Sequence, residues 1–398
     1  ARTPEGGALS HEAHDSLQND TGDGEEFMFT ALNASFDSQH LAALDAAFTL
    51  DDDDDDPLAY PVDKAPQDIA VQRLRLMSEF QKLAVRNSDN LGNSNADEGC
   101  REDEADRAAG REVLLADTHR YMREHVHCPE VQAEAGEALL AMVTAAESAA
   151  DAAAQLELVL DVQRAMQAHG GHAGVQLQAC KILGNLVHKN SALRQKVGEL
   201  GILADIQAAM KCHAHLGSPA LQAQASEAVS WITHESSENK AEAERLGLLA
   251  DVQRAMLTHA ASGTLQTTAC DAIWQMTAGS DEARNQAAQL GLMEDVCDAM
   301  AAHKSCARVQ TCACRAISAL AATHEANTFD ACCLGALPLI HAAMAAHPSD
   351  ADVQQAACSA VLAMMLDEHY QAEAWRAGLL ASVQSALRAF PACPRVQD

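Results

Sequence analysis

Histidine recurs at a nearly constant interval in this chain, and evenly spaced imidazoles could bind metal ions or transfer protons. A zinc ion needs ligand nitrogens about 2 Å away, whereas neighbouring helices lie about 8–10 Å apart. Histidines one interval apart therefore cannot readily share an ion. We expect each imidazole instead to meet unsatisfied carbonyl groups at the C-terminus of a helix. The histidines in phase are His125, His169, His213, His259, His303 and His347.

Cysteine is the second candidate for chemistry. The chain has 13 cysteines, and Cys312 and Cys314 form a C-x-C pair within a predicted helix. Residues i and i+2 of a helix point to different faces, and no C-x₂-C zinc half-site occurs. An odd number of scattered cysteines indicates reduced thiols in an intracellular compartment, either the cytoplasm or an organelle interior. We predict packing roles, and keep a metal-binding or enzymatic use of residues 297–347 as an alternative.

The N-terminal part of the sequence is acidic. Residues 1–62 read as an N-terminal arm with little intrinsic order, because acidic residues, glycine and proline dominate it. Its run of aspartates lacks the D-x-[DN]-x-[DN]-G spacing of a calcium loop. We therefore expect the arm to contact a basic partner rather than a cation. The run comprises Asp51, Asp52, Asp53, Asp54, Asp55 and Asp56.

Other classes of function have little support in the sequence. No P-loop, G-x-S-x-G, H-E-x-x-H or G-x-G-x-x-G pattern occurs, so nothing predicts an enzyme, a cofactor or a metal site. The net charge of -30 repels nucleic acid and anionic lipid surfaces, whereas proteins with a basic surface are suitable partners. No apolar run approaches the roughly 18 residues that a transmembrane segment needs.

A dipeptide repeat organises these residues. A valine or leucine followed by glutamine recurs at steps of 43 to 46 residues. A period of this length is typical of stacked helical arrays, in which one unit cannot bury its apolar face alone. The copies are Val131-Gln132, Val175-Gln176, Leu221-Gln222, Leu265-Gln266, Val309-Gln310, Val353-Gln354 and Val396-Gln397.

Each unit contains three predicted helices. The unit that begins at Val175 has a long helix over 175–188, a short helix over about 192–200 and a third helix over about 203–213. The long helix carries a continuous apolar stripe with helical spacing. A glycine separates the last two helices, since glycine tolerates the positive φ of a sharp turn. These break glycines are Gly201, Gly247, Gly291, Gly335 and Gly378.

The combined pattern resembles the armadillo repeat over residues 66–398. The shared features are three helices per unit, the glycine break, and a long helix of the form V-Q-x-x-A-small-x-A-L. HEAT repeats have two helices per unit, so the short helix argues against them. The resemblance implies an all-α, right-handed superhelix, an armadillo-like solenoid of about seven three-helix repeats. It also implies a non-enzymatic scaffold or adaptor that binds other proteins.

The domain organisation follows from the repeat. After the arm, residues 63–130 form an atypical first repeat with a polar insertion, and residues 131–398 form regular units. The chain stops where a further unit should begin, without a polar capping helix, so we expect it to continue beyond Asp398. The regular units start near 131, 175, 221, 265, 309 and 353.

The long helices supply the candidate binding residues. In armadillo proteins that bind nuclear localisation signals, tryptophan five residues after the glutamine and asparagine nine residues after it grip an extended peptide. Only Asn185 fits that pattern, so we do not expect an import receptor. Trp274, one residue off the pattern, could equally well be core. The same positions nevertheless face the implied groove and change identity in every unit. We therefore expect partner contacts at Lys181, Asn185, Glu227, Trp231, Asp271, Gln275 and Arg315.

An alternative role is that of a structural subunit stably incorporated in a large multiprotein complex, for example in an organelle. The chain's start at Ala1, without an initiator methionine, and its acidic arm favour this interpretation. Under either interpretation the partners are proteins, and membership of a larger assembly is expected.

Overall fold

The fold was analysed in a computed structural model, which describes residues 113–145, 152–188, 190–214, 219–365, 370–371, 376 and 378–391. The acidic arm with Asp51–Asp56, and most of the atypical first repeat, lie outside these described residues. Within them all regular structure is helical, starting with helical residues 113–124. The protein is an all-α solenoid.

The described helices follow the predicted order of long, short and third helix. Long helices of successive units pack side by side, and each packs against the other helices of its unit. The helices are α1 (Pro129–Ala145), α2 (Ala152–Ala168), α3 (Ala173–His188), α4 (Ser191–Glu199), α5 (Ile202–Cys212), α6 (Pro219–Thr233), α7 (Ser237–Leu246), α8 (Leu248–Thr258), α9 (Gly263–Thr277), α10 (Asp281–Leu290), α11 (Leu292–Ala302), α12 (Ala307–Ala321), α13 (Glu325–Cys333), α14 (Ala336–Ala346), α15 (Ala351–Met364) and α16 (Leu379–Ala389).

Local sequence explains where the short helices begin and end. A polar side chain precedes each of α4, α7, α10 and α13 and accepts a hydrogen bond from a backbone N–H of the first turn, which satisfies an otherwise unbonded donor. The predicted break glycines have φ between 72° and 77°, a conformation that costs other L-residues about 1–2 kcal/mol. The capping residues are Asn190, Ser236, Ser280 and His324.

The apolar stripe of each long helix forms the core between units. In α12, Val309, Ala313 and Ile317 are fully buried, and Cys314 lies at a small-residue position that is equally buried. A thiol behaves there as a small hydrophobic group. Dense stacking of long helices therefore depends on alternating small and branched side chains, as the sequence pattern predicted.

The repeated glutamine caps the third helix of the preceding unit. In α12, Nε2 of Gln310 donates to the carbonyl oxygens of Met300 and His303, each at 3.0 Å. These carbonyls lie at the end of α11, where the helix itself offers no donor; the His303 carbonyl also accepts from the Cys306 N–H at 3.0 Å. The glutamine is therefore structural. Both bonds recur at Gln132, Gln176, Gln266 and Gln354, and the bond to the methionine carbonyl recurs at Gln222.

Four of the six repeated histidines join successive units. Each described bond runs from Nε2 to a backbone carbonyl in the turn one unit earlier, not to the helix that the histidine ends. Because a carbonyl oxygen only accepts hydrogen bonds, Nε2 carries the proton in each pair. The pairs are His169 with Val126 at 2.7 Å, His213 with Gly170 at 3.0 Å, His303 with Ala260 at 2.8 Å and His347 with Lys304 at 3.0 Å.

A second series of hydrogen bonds links the third helices, from α2 to α11. A glutamine amide in one unit donates to an aspartate of the next. Between α11 and α14, Cys297 stands at the glutamine position and Leu339 at the aspartate position, so this pair is apolar. The series is Gln163 to Asp205 at 2.8 Å, Gln207 to Asp251 at 2.7 Å and Gln253 to Asp295 at 2.6 Å.

None of the described helices is by itself long and apolar enough to cross a bilayer; α13 and α14 meet the criteria of length and composition only as a pair bent by 68°.

Candidate functional site on the long-helix surface

The predicted binding residues lie on α3, α6, α9 and α12. We call the solvent side of α3, α6, α9, α12 and α15 the long-helix surface. Gln275 is 6% exposed and is the most enclosed of the predicted residues, because its Oε1 lies 3.1 Å from Nδ1 of His234. Asn185 is exposed, and Lys181, Glu227, Trp231, Asp271 and Arg315 are partly exposed.

A cavity of about 120 Å³ opens on this surface between α3 and α6. It brings together four of the predicted residues. Gly184 lets α3 approach α6 closely, since a Cβ there would already contact the Ala228 backbone, 3.7 Å from its Cα. The lining residues are Cys180, Lys181, Gly184, Asn185, His188, Gln224, Glu227 and Trp231.

Aromatic rings form one wall of the cavity. The indole of Trp231 stacks on the imidazole of His188, with ring centroids 3.9 Å apart and planes 28° apart. His234 meets the same indole edge-on at 5.9 Å. Such contacts hold an aromatic ring in a defined orientation. Trp231 is therefore positioned by two histidines that the sequence pattern did not single out.

Two carboxyl groups lie partly buried on this surface. Burial raises the pKa of Glu227, and a 3.0 Å hydrogen bond from Nε2 of Gln224 and the charge of Arg308 offset this only in part. Burial likewise raises the pKa of Asp271, against the opposing effects of the Ser230 hydroxyl, which donates to its carboxylate, and of Arg315. Both groups therefore hold their protons to a higher pH than an exposed carboxyl group.

The basic side chains of the long-helix surface form no ion pairs with described residues. Arg315 lies over the ring of Trp274, with its guanidinium carbon 5.1 Å from the centroid. This is a cation–π contact, and it shows that Trp274, which also packs against the core, has one face on the surface. Within the described part of the chain, Lys181, Arg308 and Arg315 form no ion pair.

Comparisons with known proteins agree with the architecture. A family model described as the LRRK2 ARM repeat matches residues 209–386. None of the curated proteins matches. Among solved structures, similar ones include three engineered proteins of the Northeast Structural Genomics Consortium. The first has a TM-score of 0.59 and 16% identity, and the match covers 73% of this chain and 71% of that one. The second has 0.54 and 21%, covering 63% and 99%, and the third has 0.52 and 18%, covering 62% and 96%. The chain is an armadillo-like helical repeat protein.

The two halves of this armadillo-like surface differ in chemistry. From α3 to α12 it carries the charged and aromatic groups described above. On α15 the corresponding positions hold the small residues Ser359 and Ala363, and the neighbouring Leu362 is 63% exposed. The Ser318 hydroxyl donates to the Ser359 carbonyl at 3.2 Å, so it is used within the repeat stack. The surface therefore runs from polar and aromatic to apolar along the chain.

Sequence reasoning missed several contributors. Four residues outside the positions five and nine residues after the repeated glutamine contact the predicted residues or act on their charge. They are His188, Gln224, Ser230 and Arg308. Their signal is helical spacing: they lie three, four or seven residues from a predicted residue of the same helix, hence on the same face.

The cysteines of this armadillo-like protein lie mostly inside the fold. Burial raises the pKa of Cys312 to about 12, and nearby Asp271 acts in the same direction. Burial alone raises the pKa of Cys180 to about 12. Such thiols stay protonated near neutral pH and are poor nucleophiles and metal ligands. In the described ranges no three His, Cys, Asp or Glu side chains are placed to hold a metal ion, which includes 297–347.

Proposed function

We propose that this protein is a scaffold or adaptor that holds an extended segment of another protein along the long-helix surface. A helical repeat scaffold is suited to protein binding, because stacked units present a long continuous surface. The proposal assigns contacts to the predicted residues together with the aromatic and polar groups that position them.

One observation carries the proposal. Apart from histidine, the described long helices carry three basic side chains, Lys181, Arg308 and Arg315, and none of them has a carboxylate within ion-pair distance. On the other helices, by contrast, basic side chains such as Arg254 and Arg284 pair with carboxylates three residues away. Charge left without an internal partner on a continuous surface is suited to pairing with groups from another molecule.

The partner's overall chemistry follows from charge. Because the chain has a net charge of -30, a protein with a basic surface would approach it readily. We assign the same attraction to the acidic arm, and keep stable membership of a larger assembly and a reducing intracellular compartment as parts of the proposal. Binding then combines general attraction of a basic partner with local contacts on the long-helix surface.

Affinity purification with mass spectrometry tests the surface. We expect the triple variant W231A/D271A/R315A to lose about tenfold or more of each specific co-purifying protein, since buried aromatic and charged anchors commonly carry about 2 kcal/mol each. The matched control is L257A/D298A/K304A, which removes one apolar, one acidic and one basic exposed side chain elsewhere. Equal recovery with both variants would show that the long-helix surface is not the binding site.

A further inference from the structure

The cavity between α3 and α6 holds a carboxyl group without a cationic partner. Glu227 accepts hydrogen bonds only from neutral donors, the amide of Gln224 at 3.0 Å and the indole of Trp231, and forms no ion pair with any described residue. A partly buried carboxylate without a counter-charge is unfavourable, and the loss is recovered when a cation pairs with it. The cavity is therefore incomplete in charge.

The charged groups around Glu227 come from three other helices. Lys181 and His188 line the cavity from α3, and Trp231 lies one turn further along α6. From α12 the charge of Arg308 favours the ionised carboxylate, whereas Asp271 of α9 opposes it. None of these cations neutralises Glu227 by direct contact. Lys181 lines the same cavity, so a bound cation must gain from shape as well as charge.

The shape suits a flat cation. The stacked rings of Trp231 and His188 present an aromatic wall beside the carboxyl group. A guanidinium group can lie along such a wall while its N–H fork bonds to a carboxylate, which a compact ammonium group does less well. A volume of about 120 Å³ leaves room for the end of one side chain.

We propose that this cavity is the subsite for an arginine side chain of the partner segment. Glu227 is its carboxylate counterpart, and the Trp231–His188 pair is its stacking surface. This inference rests on the proposed function and makes it more specific, because it fixes one side chain of the partner opposite α3 and α6.

The test uses the full chain and three capped pentapeptides with a central arginine, citrulline or glutamate between small residues. Citrulline has the shape of arginine without its charge. Binding is followed by the indole N–H resonance of Trp231, identified by its loss in W231F. We expect the arginine peptide to bind about tenfold more tightly than the citrulline peptide, as charge-assisted hydrogen bonds require. Equal binding of these two, or tighter binding of the glutamate peptide, overturns the proposal.

A pair of variants isolates the carboxylate. E227Q keeps the size of the side chain and one acceptor oxygen, removes the charge, and should abolish the preference for arginine over citrulline. The matched control is D295N on α11, because Asp295 is also a partly buried carboxyl group that accepts from a glutamine, at 2.6 Å from Gln253. That variant should keep the full preference. If E227Q keeps it as well, Glu227 is not the arginine counterpart.

A pH series adds a readout that a merely structural role would not change. Because only the ionised carboxylate attracts arginine, affinity should rise with pH through the elevated pKa of Glu227 and then level off. E227Q should remove this dependence. If the peptide tests fail but W231A/D271A/R315A loses its partners, the arginine subsite is wrong and the scaffold function is retained. If the peptides show the arginine preference but partner recovery is unchanged, the subsite is retained and the scaffold function on this surface is wrong.

Discussion

At the scale of single residues, the long-helix surface is characterised by carboxyl groups that the fold partly buries. Asp271 is held by the Ser230 hydroxyl and by the charges of Arg315 and His234, yet burial still raises its pKa. The protein therefore loses some stability when this group ionises. Residues that lower stability in isolation are commonly retained for binding, where a partner supplies the missing contacts.

The stability of the protein should consequently depend on the protonation of Asp271. An acid whose pKa is raised by folding binds its proton more tightly in the folded state, so the free energy of unfolding falls as pH rises from the group's ordinary pKa of about 4 to its elevated value. D271N should lose less stability than the natural protein across that interval. Urea titrations at a series of pH values measure this, with the exposed Asp298 replaced by asparagine as the control. Parallel curves for D271N and the natural protein would contradict the interpretation.

The sequence revealed these residues only in part. Position in the repeat places Glu227, Trp231 and Asp271 on one face, because the helical period and the repeat length are both visible in the sequence. Their electrostatic environment is not visible there. It depends on which side chain of a neighbouring unit packs opposite, as His188 of the preceding unit does against Trp231, and that requires the stacking geometry.

At the scale of helices, the sequence predicts boundaries well and contacts between units poorly. The glycine breaks are local signals, and the structure shows the expected positive φ at each one. The roles of the repeated glutamine and histidine are not local. The amide of Gln310 bonds to α11, and His303 bonds to the turn one unit earlier. Recurrence alone showed that these residues matter, but not which groups they contact.

Removing a repeat glutamine should therefore destabilise its unit. In Q310A the Met300 carbonyl loses its side-chain donor, and the His303 carbonyl keeps only the Cys306 N–H, in a site where Gln310 is 2% exposed. We expect a loss of about 1–3 kcal/mol, the usual cost of unsatisfied buried polar groups. The matched control is Q289A, which removes an exposed glutamine from α10. Hydrogen exchange at the end of α11 and urea unfolding report the difference, and a loss no larger than that of Q289A would argue against a capping role.

At the scale of the whole molecule, stability is close to a sum of unit energies and interfaces between neighbouring units. A glutamine–aspartate hydrogen bond joins the third helices at each interface from α2 to α11. At the interface between α11 and α14 the apolar pair Cys297 and Leu339 replaces it. A hydrogen-bonded polar pair and an apolar pair can replace each other at this position, because neither leaves a buried polar group without a partner. A polar side chain opposite an apolar one would leave such a group, so a mixed pair should be destabilising.

A double-mutant cycle at this interface tests that equivalence. L339D alone should be destabilising by about 1–3 kcal/mol, since it places a carboxylate against the buried Cys297. Adding C297Q should recreate the bond seen between Gln253 and Asp295, with a favourable coupling of about 0.5–3 kcal/mol. The free energies of unfolding of the four proteins give this coupling directly. A coupling near zero would mean that the series of glutamine–aspartate bonds is a by-product of stacking. A clear coupling would mean that each interface is held by complementary side chains, so units could be exchanged only with their neighbours' matching residues.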